Sequence, residues 1–203
     1  MKIFRTLLLV AVCGLFVNNA KAQKNQNELV ISAGAGYSVG VSIVKLAINS
    51  SLNASGLNDA KFIPPLVGNI DYGVADNFSL GFSYTHTGFS SVESATVNDT
   101  LYRADVGLRR ANIALRPLFH FGPDETVDIY FGGRLGYSLW KGSYEIRDTY
   151  GNNRADEVNI PSLFNFGIVF GVRKYFNENI GVNFDINFGN GPYLLAGGLA
   201  YKI

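Results

Sequence analysis

Apolar and polar residues alternate along most of the chain. The first clear run begins at Leu29, where apolar residues occupy nearly every second position as far as Val41 and Ser or Gly fills the positions between. A period of two is typical of a β-strand with two different faces. The alternation returns seven more times, which predicts strands at about residues 29–41, 66–74, 78–85, 102–121, 127–139, 164–173, 180–188 and 193–203.

The alternation in the fourth predicted strand changes phase near Arg109 and Arg110. Apolar residues occupy even positions over 102–108 and mostly odd positions over 113–121. A β-bulge, which inserts one extra residue into a strand, would produce such a shift. We therefore expect a bulge at 109–110 that keeps both apolar sets on the same face.

The segments between the predicted strands are alternately short and long. The short turns are Ala75–Asn77, Gly122–Thr126 and Asn177–Asn179, and the long polar segments are Ser42–Lys61, Ser90–Leu101 and Lys141–Ile160. Short periplasmic turns and long extracellular loops alternate in this way in outer-membrane β-barrels. The final connection, Gly189–Pro192, is the exception because it is short.

The composition of the two strand faces indicates which face is wet. A soluble barrel would carry Lys, Glu and Thr outside, whereas the polar face here is mostly Gly, Ser, Ala and Asn, which suit the crowded interior of an eight-stranded barrel. The apolar face holds almost no ionisable residue besides His86 and Lys174, both near predicted strand ends. A basic group costs about 2–4 kcal/mol at the bilayer midplane and much less near its edge. The apolar face is therefore predicted to contact lipid.

The N-terminal segment has the features of a secretory signal peptide. A cationic start is followed by an uncharged apolar stretch, and Ala20 and Ala22 supply the small residues that precede cleavage. The stretch is too short for a transmembrane helix. We expect residues 1–22 to be removed, leaving one domain, 23–203.

The mature chain is close to neutral and has no cysteine. Cleavage removes three of the 17 basic residues and none of the 16 acidic ones, which gives a net charge of −2. That charge argues against a nucleic-acid partner, and a chain without Cys has no disulfide and no thiolate metal site.

The last strand carries the most specific local pattern. Tyr193–Ile203 alternates apolar residues, places Tyr201 third from the end and ends in an apolar residue. With the preceding strands, Glu28–Ile203 resembles the small outer-membrane β-barrel family of OmpX-like and OmpA-membrane-domain-like proteins, although Ile203 stands where that family usually has Phe. The resemblance implies a monomeric eight-stranded antiparallel up-and-down barrel in the cell outer membrane. It also implies contacts with outer-membrane lipid and lipopolysaccharide, and recognition of Tyr193–Ile203 by the barrel-assembly machinery.

Charged residues on the predicted inner face need partners, because a closed lumen offers little water. Matching Phe121 with Val127 across one turn sets His120 opposite Asp128, and the turn at 177–179 makes Arg173 and Asp185 diagonal neighbours. We interpret the set as a structural plug of paired side chains, with a proton or ion path as the alternative. The predicted lumen network is Asp71, Arg116, His120, Asp128, Arg134, Arg173 and Asp185.

The sequence predicts a barrel without enzymatic activity or cofactor, with a structural or surface-binding role through its extracellular loops. An OmpW-like conduit for small apolar molecules is an alternative, which the charged lumen disfavours. A lipid A-modifying enzyme is another. Lipid A deacylases place His and Ser on the lipid-facing surface with Ser two residues after His, but Gly88 occupies that position after His86. His120 with Asp128 also resembles two-thirds of a nucleophilic triad that lacks its Ser.

Overall fold

The computed structural model describes residues 26–39, 42, 59–97, 100–124, 126–148, 150 and 153–203. Within these ranges each strand pairs with its sequence neighbour, and the last pairs with the first to close a barrel. The predicted eight-stranded antiparallel up-and-down barrel is confirmed. The strands are β1 (Leu29–Tyr37), β2 (Asp59–Ala75), β3 (Phe78–Val97), β4 (Thr100–Asp124), β5 (Val127–Asp148), β6 (Asn153–Tyr175), β7 (Ile180–Gly189) and β8 (Leu195–Lys202).

Two sequence predictions fall on parts of the chain that the structure does not describe. Signal cleavage after Ala22 lies outside the described residues, and so does most of the long segment Ser42–Lys61. Both stay predictions. In the described part of the chain, no helix is long and apolar enough to cross a bilayer.

The barrel wall has its apolar side chains outside and its polar side chains inside. Phe82 is 61% exposed and Ile113 53%, whereas their neighbours Ser83 and Asn112 are buried in the lumen. Water would impose the opposite arrangement, since exposing this much apolar surface is unfavourable. In a bilayer the same wall is stable, because a closed barrel satisfies its backbone hydrogen bonds internally.

Aromatic residues edge the apolar belt at both ends of the barrel. Phe176 at the short-turn end is 69% exposed, and Tyr137 at the opposite end is 51% exposed. Rings of this kind suit the boundary between hydrocarbon and headgroups. The chain ends also mark the short-turn end, because Leu29 N donates a 3.1 Å hydrogen bond to Ile203 O. The remaining exposed rings of the two girdles are Tyr37 and Tyr84 at one edge, and Tyr72 and Tyr201 at the other.

The predictions of two long loops are wrong. The predicted loop Ser90–Leu101 belongs mainly to β3 and β4, and Lys141–Ile160 belongs mainly to β5 and β6. Backbone pairing continues beyond the apolar belt as far as Val97 with Thr100 and Arg147 with Asn153. A ladder needs only paired backbone groups, so a change to polar side chains does not end it.

The bulge expected at Arg109–Arg110 is also wrong. The register of β4 with β3 and β5 runs unbroken through these residues. The apolar residues over 102–108 therefore share the lumen face with Asn112, while Arg109 and Asp105 share the exterior face with Ile113. Above the belt both faces meet water, so apolar residues there no longer indicate the lipid side.

One predicted turn register is wrong and another is confirmed. Phe121 pairs with Ile129 rather than with Val127, because the β4–β5 connection has a register shift between Phe121 and Asp124. His120 therefore lies opposite Tyr130 on the backbone ladder. At the next turn, Arg173 pairs with Asn183, so Arg173 and Asp185 are diagonal neighbours as expected.

Candidate functional site

The lumen holds every charged residue that the sequence analysis placed there. All seven are buried, and the side chains of Arg116, Arg134 and Arg173 are among the largest fully buried groups described. They separate into two levels. The short-turn cluster consists of Asp71, Arg116, His120, Asp128, Arg173 and Asp185.

Asp185 is the most heavily used carboxylate of the short-turn cluster. Arg116 donates two hydrogen bonds to it, with Nη1 3.0 Å from Oδ2 and Nη2 3.3 Å from Oδ1. The hydroxyls of Tyr130 and Tyr193 also donate to Asp185. This fork geometry is the strong form of an arginine–carboxylate pair. It joins three strands, because the partners lie on β4, β5 and β7, while Tyr193 precedes β8.

Arg173 links two further carboxylates, Asp128 directly opposite it on the neighbouring strand β5 and Asp71 across the lumen on β2. Nη1 lies 3.1 Å from Asp128 Oδ2, and Nη2 donates to Asp71. Its guanidinium carbon is 4.4 Å from the Tyr130 ring centroid, which adds a cation–π contact. The expected Arg173–Asp185 pair does not form, because Asp185 is occupied by Arg116. A long side chain can cross a narrow lumen, so its partner need not be a sequence neighbour.

Glycines make room for these side chains. A Cβ on Gly81 would overlap Asp71 Oδ1, and a Cβ on Gly171 would overlap the Tyr130 ring. Both glycines face the lumen beside the cluster they accommodate. The small residues of the inner face are therefore required where the carboxylate and the ring lie against the wall.

His120 joins a serine to an aspartate near the short-turn end. Its Nδ1 is 2.8 Å from Asp128 Oδ1, and its Nε2 is 2.7 Å from Ser79 Oγ. If Nδ1 carries the proton of a neutral imidazole, Nε2 accepts the Ser79 hydroxyl proton, which is the arrangement of a nucleophilic triad. The serine that the sequence analysis lacked is thus Ser79 on β3. Its side chain is fully buried, however, so an acyl group has no approach to its oxygen.

The second level, the hairpin cluster, lies toward the β3–β4 and β5–β6 hairpins. Arg134 binds only neutral acceptors: it donates to Asn112 Oδ1, lies 3.3 Å from Thr85 Oγ1 and 3.4 Å from Ser83 Oγ, and makes a longer contact with Asn165. Among the described residues no carboxylate pairs with it. The cluster consists of Arg110, Asn112, Arg134, Ser138 and Asn165.

Ser138 is the centre of the hairpin cluster. Its hydroxyl oxygen lies 2.8 Å from Arg110 Nη2 and 3.0 Å from the amide nitrogens of both Asn112 and Asn165. Arg110 also lies 5.0 Å from the Trp140 ring centroid. The cluster therefore concentrates two positive charges and several donors, and compensates them with dipoles instead of carboxylates.

Sequence reasoning missed Ser79, Tyr130 and Tyr193. Each lies on the lumen side and donates or accepts a bond in the short-turn cluster. A buried tyrosine usually finds a partner for its hydroxyl, so an inward Tyr130 beside charged residues was an available signal. Nothing in the local sequence identifies Ser79, since small polar residues occupy most inward positions.

The lumen is filled, and its chemistry is that of a packed polar core. Tyr130, Leu118 and Val169 form a buried apolar contact between the charged side chains. In the described part of the chain, no three His, Cys, Asp or Glu side chains are placed to hold a metal ion. The arrangement links strands across the barrel through the terminal nitrogens of its arginines, whereas the Nε atoms of Arg116, Arg134 and Arg173 make no hydrogen bond within the described residues.

Solved structures with similar architecture are outer-membrane barrels. Ail of Yersinia pestis, in complex with the heparin analogue sucrose octasulfate, is 14% identical over 88% of this chain and 99% of its own, with a TM-score of 0.47. OprG of Pseudomonas aeruginosa is 10% identical over 90% and 98%, with a TM-score of 0.49. The N-terminal barrel domain of OprF from the same species is 15% identical over 89% and 100%, with a TM-score of 0.43.

No protein-family model and no curated protein sequence matches the chain. Likeness at these identities concerns the architecture alone. The closed barrel, the apolar exterior and the polar lumen carry the assignment on physical grounds. The chain is a transmembrane β-barrel with the architecture of the small outer-membrane proteins.

Proposed function

We propose that the protein is an integral outer-membrane barrel that catalyses no reaction and serves a structural or surface-binding role through its extracellular hairpins. The observation that carries the proposal is a wall apolar on the outside around a lumen filled by ion pairs. The barrel acts as a rigid support, and β3–β4 and β5–β6 extend beyond the belt as the parts that can meet a partner. Lipid and lipopolysaccharide surround the wall, the barrel is a monomer, and the assembly machinery reads Tyr193–Ile203.

The triad geometry at Ser79 does not support hydrolysis. A nucleophile must come within about 3–3.5 Å of its target atom, and Ser79 exposes no surface to a substrate. The hydrogen bonds among Ser79, His120 and Asp128 are explained by burial alone, because polar side chains removed from water need partners within the barrel.

The two alternative functions find no support in the described residues. An apolar conduit needs an open apolar lumen, whereas this lumen contains three buried arginines. A lipid-modifying site would need an activated His86. His86 lies on the exterior between Leu66 and Ala111, and among the described residues no hydrogen bond joins it to a serine or a carboxylate.

Refolding tests the membrane assignment. Residues 23–203 placed in detergent micelles should give a β-rich circular dichroism spectrum and a different electrophoretic mobility before and after boiling. A barrel closed by backbone hydrogen bonds resists detergent until it is heated. A monomer that stays soluble without detergent would overturn the proposal.

Surface labelling tests the orientation. An epitope inserted at Asn152, at the tip between β5 and β6, should be labelled by antibody on intact cells, because polar loop tips tolerate insertion. The same epitope at Asp76, in the turn between β2 and β3, should be labelled only after the envelope is opened. Labelling at Asp76 but not at Asn152 on intact cells would reverse the topology.

A further inference from the structure

Charged residues on the exterior face of β4 and β5 lie opposite residues of the same sign. Arg103 pairs with Arg147, Asp105 with Glu145, and Arg109 with Lys141 on the backbone ladder. All three pairs share the exterior face, because the register is unbroken from the Leu115–Leu135 pair upward. Like charges directly opposite each other destabilise a sheet unless something compensates them.

The two outer pairs compensate each other. Arg103 Nε is 3.5 Å from Asp105 Oδ2, and Arg147 Nη2 is 2.7 Å from Glu145 Oε1. Hydrogen bonds from Arg147 and Asn153 lower the pKa of the Glu145 carboxyl, which keeps it ionised. These two rows therefore form a neutral set within the protein.

The row nearest the membrane has no such compensation. Arg109 and Lys141 are both exposed, and among the described residues neither makes an ion pair. The row above them, Gly107 with Ser143, is uncharged. The nearest carboxylate on the neighbouring strand is Glu157, which lies diagonally from Lys141 and outside bonding distance. Two positive charges thus remain facing each other on the outside of the barrel.

The height of the pair matches a headgroup layer. Arg109 and Lys141 lie two residues beyond Ala111 and Leu139, the last row of the apolar belt. At about 3.4 Å per residue and a tilt near 40°, this is about 5 Å along the bilayer normal. The polar layer of one leaflet is about 5–7 Å deep. The pair therefore lies at the depth of lipid phosphates.

A cleft of about 690 Å³ adjoins Arg109. Ser90, Gly107, Ser143 and Glu157 form one row of its lining across β3 to β6. Arg109 lines the cleft, Lys141 does not, and the carboxylates Asp105, Glu145 and Asp156 also line it. Gly107 has no side chain to fill the cleft, and a Cβ at this position would lie only 2.8 Å from Ser143 Oγ. Serine hydroxyls and carboxylates can accept hydrogen bonds from sugar hydroxyls, and the fork of Arg109 at the membrane side suits phosphate oxygens.

We propose that Arg109 and Lys141 bind the phosphate of a glycolipid headgroup in the outer leaflet, with the sugar lying in the adjoining cleft. The inference rests on the proposed membrane function and adds a defined lipid site to it. The bound phosphate supplies the negative charge that the Arg109–Lys141 row lacks. We assign a lipid because both side chains lie on the exterior of the wall, at headgroup depth directly above the apolar belt.

Lipid binding to the purified full-length mature barrel tests the inference. The protein is placed in phosphatidylcholine nanodiscs that contain a small fraction of either bisphosphorylated lipid A or its dephosphorylated form, and retained lipid is counted by native mass spectrometry. The wild type should retain the phosphorylated form at least about tenfold better, since hydrogen bonds to charged groups contribute this much. The double variant R109Q/K141Q should lose that preference.

The matched control is R103Q/R147Q, which removes two cations from the same face but from rows already compensated. It should keep the preference. Equal loss in both double variants would reduce the effect to general surface charge and overturn the site, and so would an unchanged R109Q/K141Q. Displacement of the lipid by millimolar inorganic phosphate would overturn the lipid assignment in favour of a free anion.

Failure of this inference is distinguishable from failure of the membrane proposal. Every variant should still fold in detergent with heat-modifiable mobility, because both substituted rows lie outside the lumen and the belt. A wild type that does not enter nanodiscs contradicts the membrane function. A wild type that enters them without preferring the phosphorylated lipid contradicts only the Arg109–Lys141 site.

Discussion

The two ends of the lumen hold their arginines by different means. In the short-turn cluster, Arg116 and Arg173 share three carboxylates, whereas in the hairpin cluster Arg134 meets only amides and hydroxyls. A buried ion pair is costly to form and more costly to break, because removing one partner leaves the other charge buried and unpaired. When a guanidinium that is held by dipoles is removed, no charge is left unpaired. The short-turn end should therefore be the more sensitive to substitution.

The difference in charge compensation also distinguishes the short-turn end of the barrel from the hairpin end. The short-turn cluster lies near the level of the chain ends, where Asp71 pairs with Val30 on the ladder, and its bonds join the distant strands β4 with β7 and β2 with β6. The hairpin cluster lies below the strands that extend past the membrane and carries two positive charges without an acid. Substitutions at the two levels test whether charge compensation makes the short-turn cluster the more sensitive one.

The largest effect is expected for Asp185→Asn. The amide keeps the shape of the side chain but leaves the buried charge of Arg116 without its bidentate partner, which should cost about 3–5 kcal/mol of unfolding free energy. Urea unfolding in lipid vesicles, followed by the fluorescence of Trp140, the single tryptophan of the chain, measures the loss. Asp105→Asn is the control, because its pair with the exposed Arg103 should contribute less than about 1 kcal/mol. Equal losses would contradict the assignment of Asp185.

The direct comparison of the two clusters is Arg173→Met against Arg134→Met. Methionine keeps much of the volume and removes the charge. Arg173→Met removes the buried positive charge that Asp71 and Asp128 share and should cost about 3–5 kcal/mol. Arg134→Met leaves neutral groups short of a donor and should cost about 1–3 kcal/mol. Urea unfolding measures both, and Arg147→Met at the surface should be milder than either. An Arg134→Met variant as unstable as Arg173→Met would show that charge compensation does not distinguish the levels.

A smaller effect is expected where a glycine makes room for the short-turn cluster. Gly81→Ala brings a methyl group against the Asp71 carboxylate and 2.7 Å from Ile70 O. Overpacking of this kind costs about 1–3 kcal/mol. Gly133→Ala is the matched control, since its nearest neighbour, Pro117 Cγ at 3.6 Å, is an ordinary contact. The midpoint of urea unfolding should fall for the first variant only; a fall in both would point to a general requirement for glycine in the wall.

The belt could be predicted from the sequence because the bilayer imposes a simple rule. Between the two girdles every outward residue must be apolar, so a period of two identifies the wall and its facing, as at Ile113 and Phe82. Above the girdle the rule ends, since water meets both faces. In that region the apolar residues over 102–108 face inward, and their pattern led to the wrong prediction of a bulge. The polar parts of the long strands were wrongly predicted as loops.

Apart from the His120–Asp128 contact, the partners within the lumen could not be predicted from the sequence. Pattern reasoning relates residues that are adjacent on a ladder, and it brought His120 near Asp128 through the wrong register. Arg173 reaches Asp71, 102 positions away, across the barrel interior. Such contacts depend on the barrel circumference and on which strands face each other across the lumen, which only the closed structure supplies.

The smallest effect is expected at Ser79, and it separates a structural bond from a catalytic one. Ser79→Ala removes one hydrogen bond to His120 and should cost about 1 kcal/mol in urea unfolding. The folded barrel treated with a fluorophosphonate should carry no adduct on the Ser79 peptide by mass spectrometry, while a serine hydrolase in the same mixture is fully labelled. The reagent must bring phosphorus within about 3 Å of the serine oxygen, and this side chain lies against the barrel interior with no exposed surface. The contrary outcome is an adduct that forms on Ser79 and disappears in His120→Gln. It would mean that the lumen opens and that His120 and Asp128 activate the serine. The structural interpretation would then give way to a catalytic one.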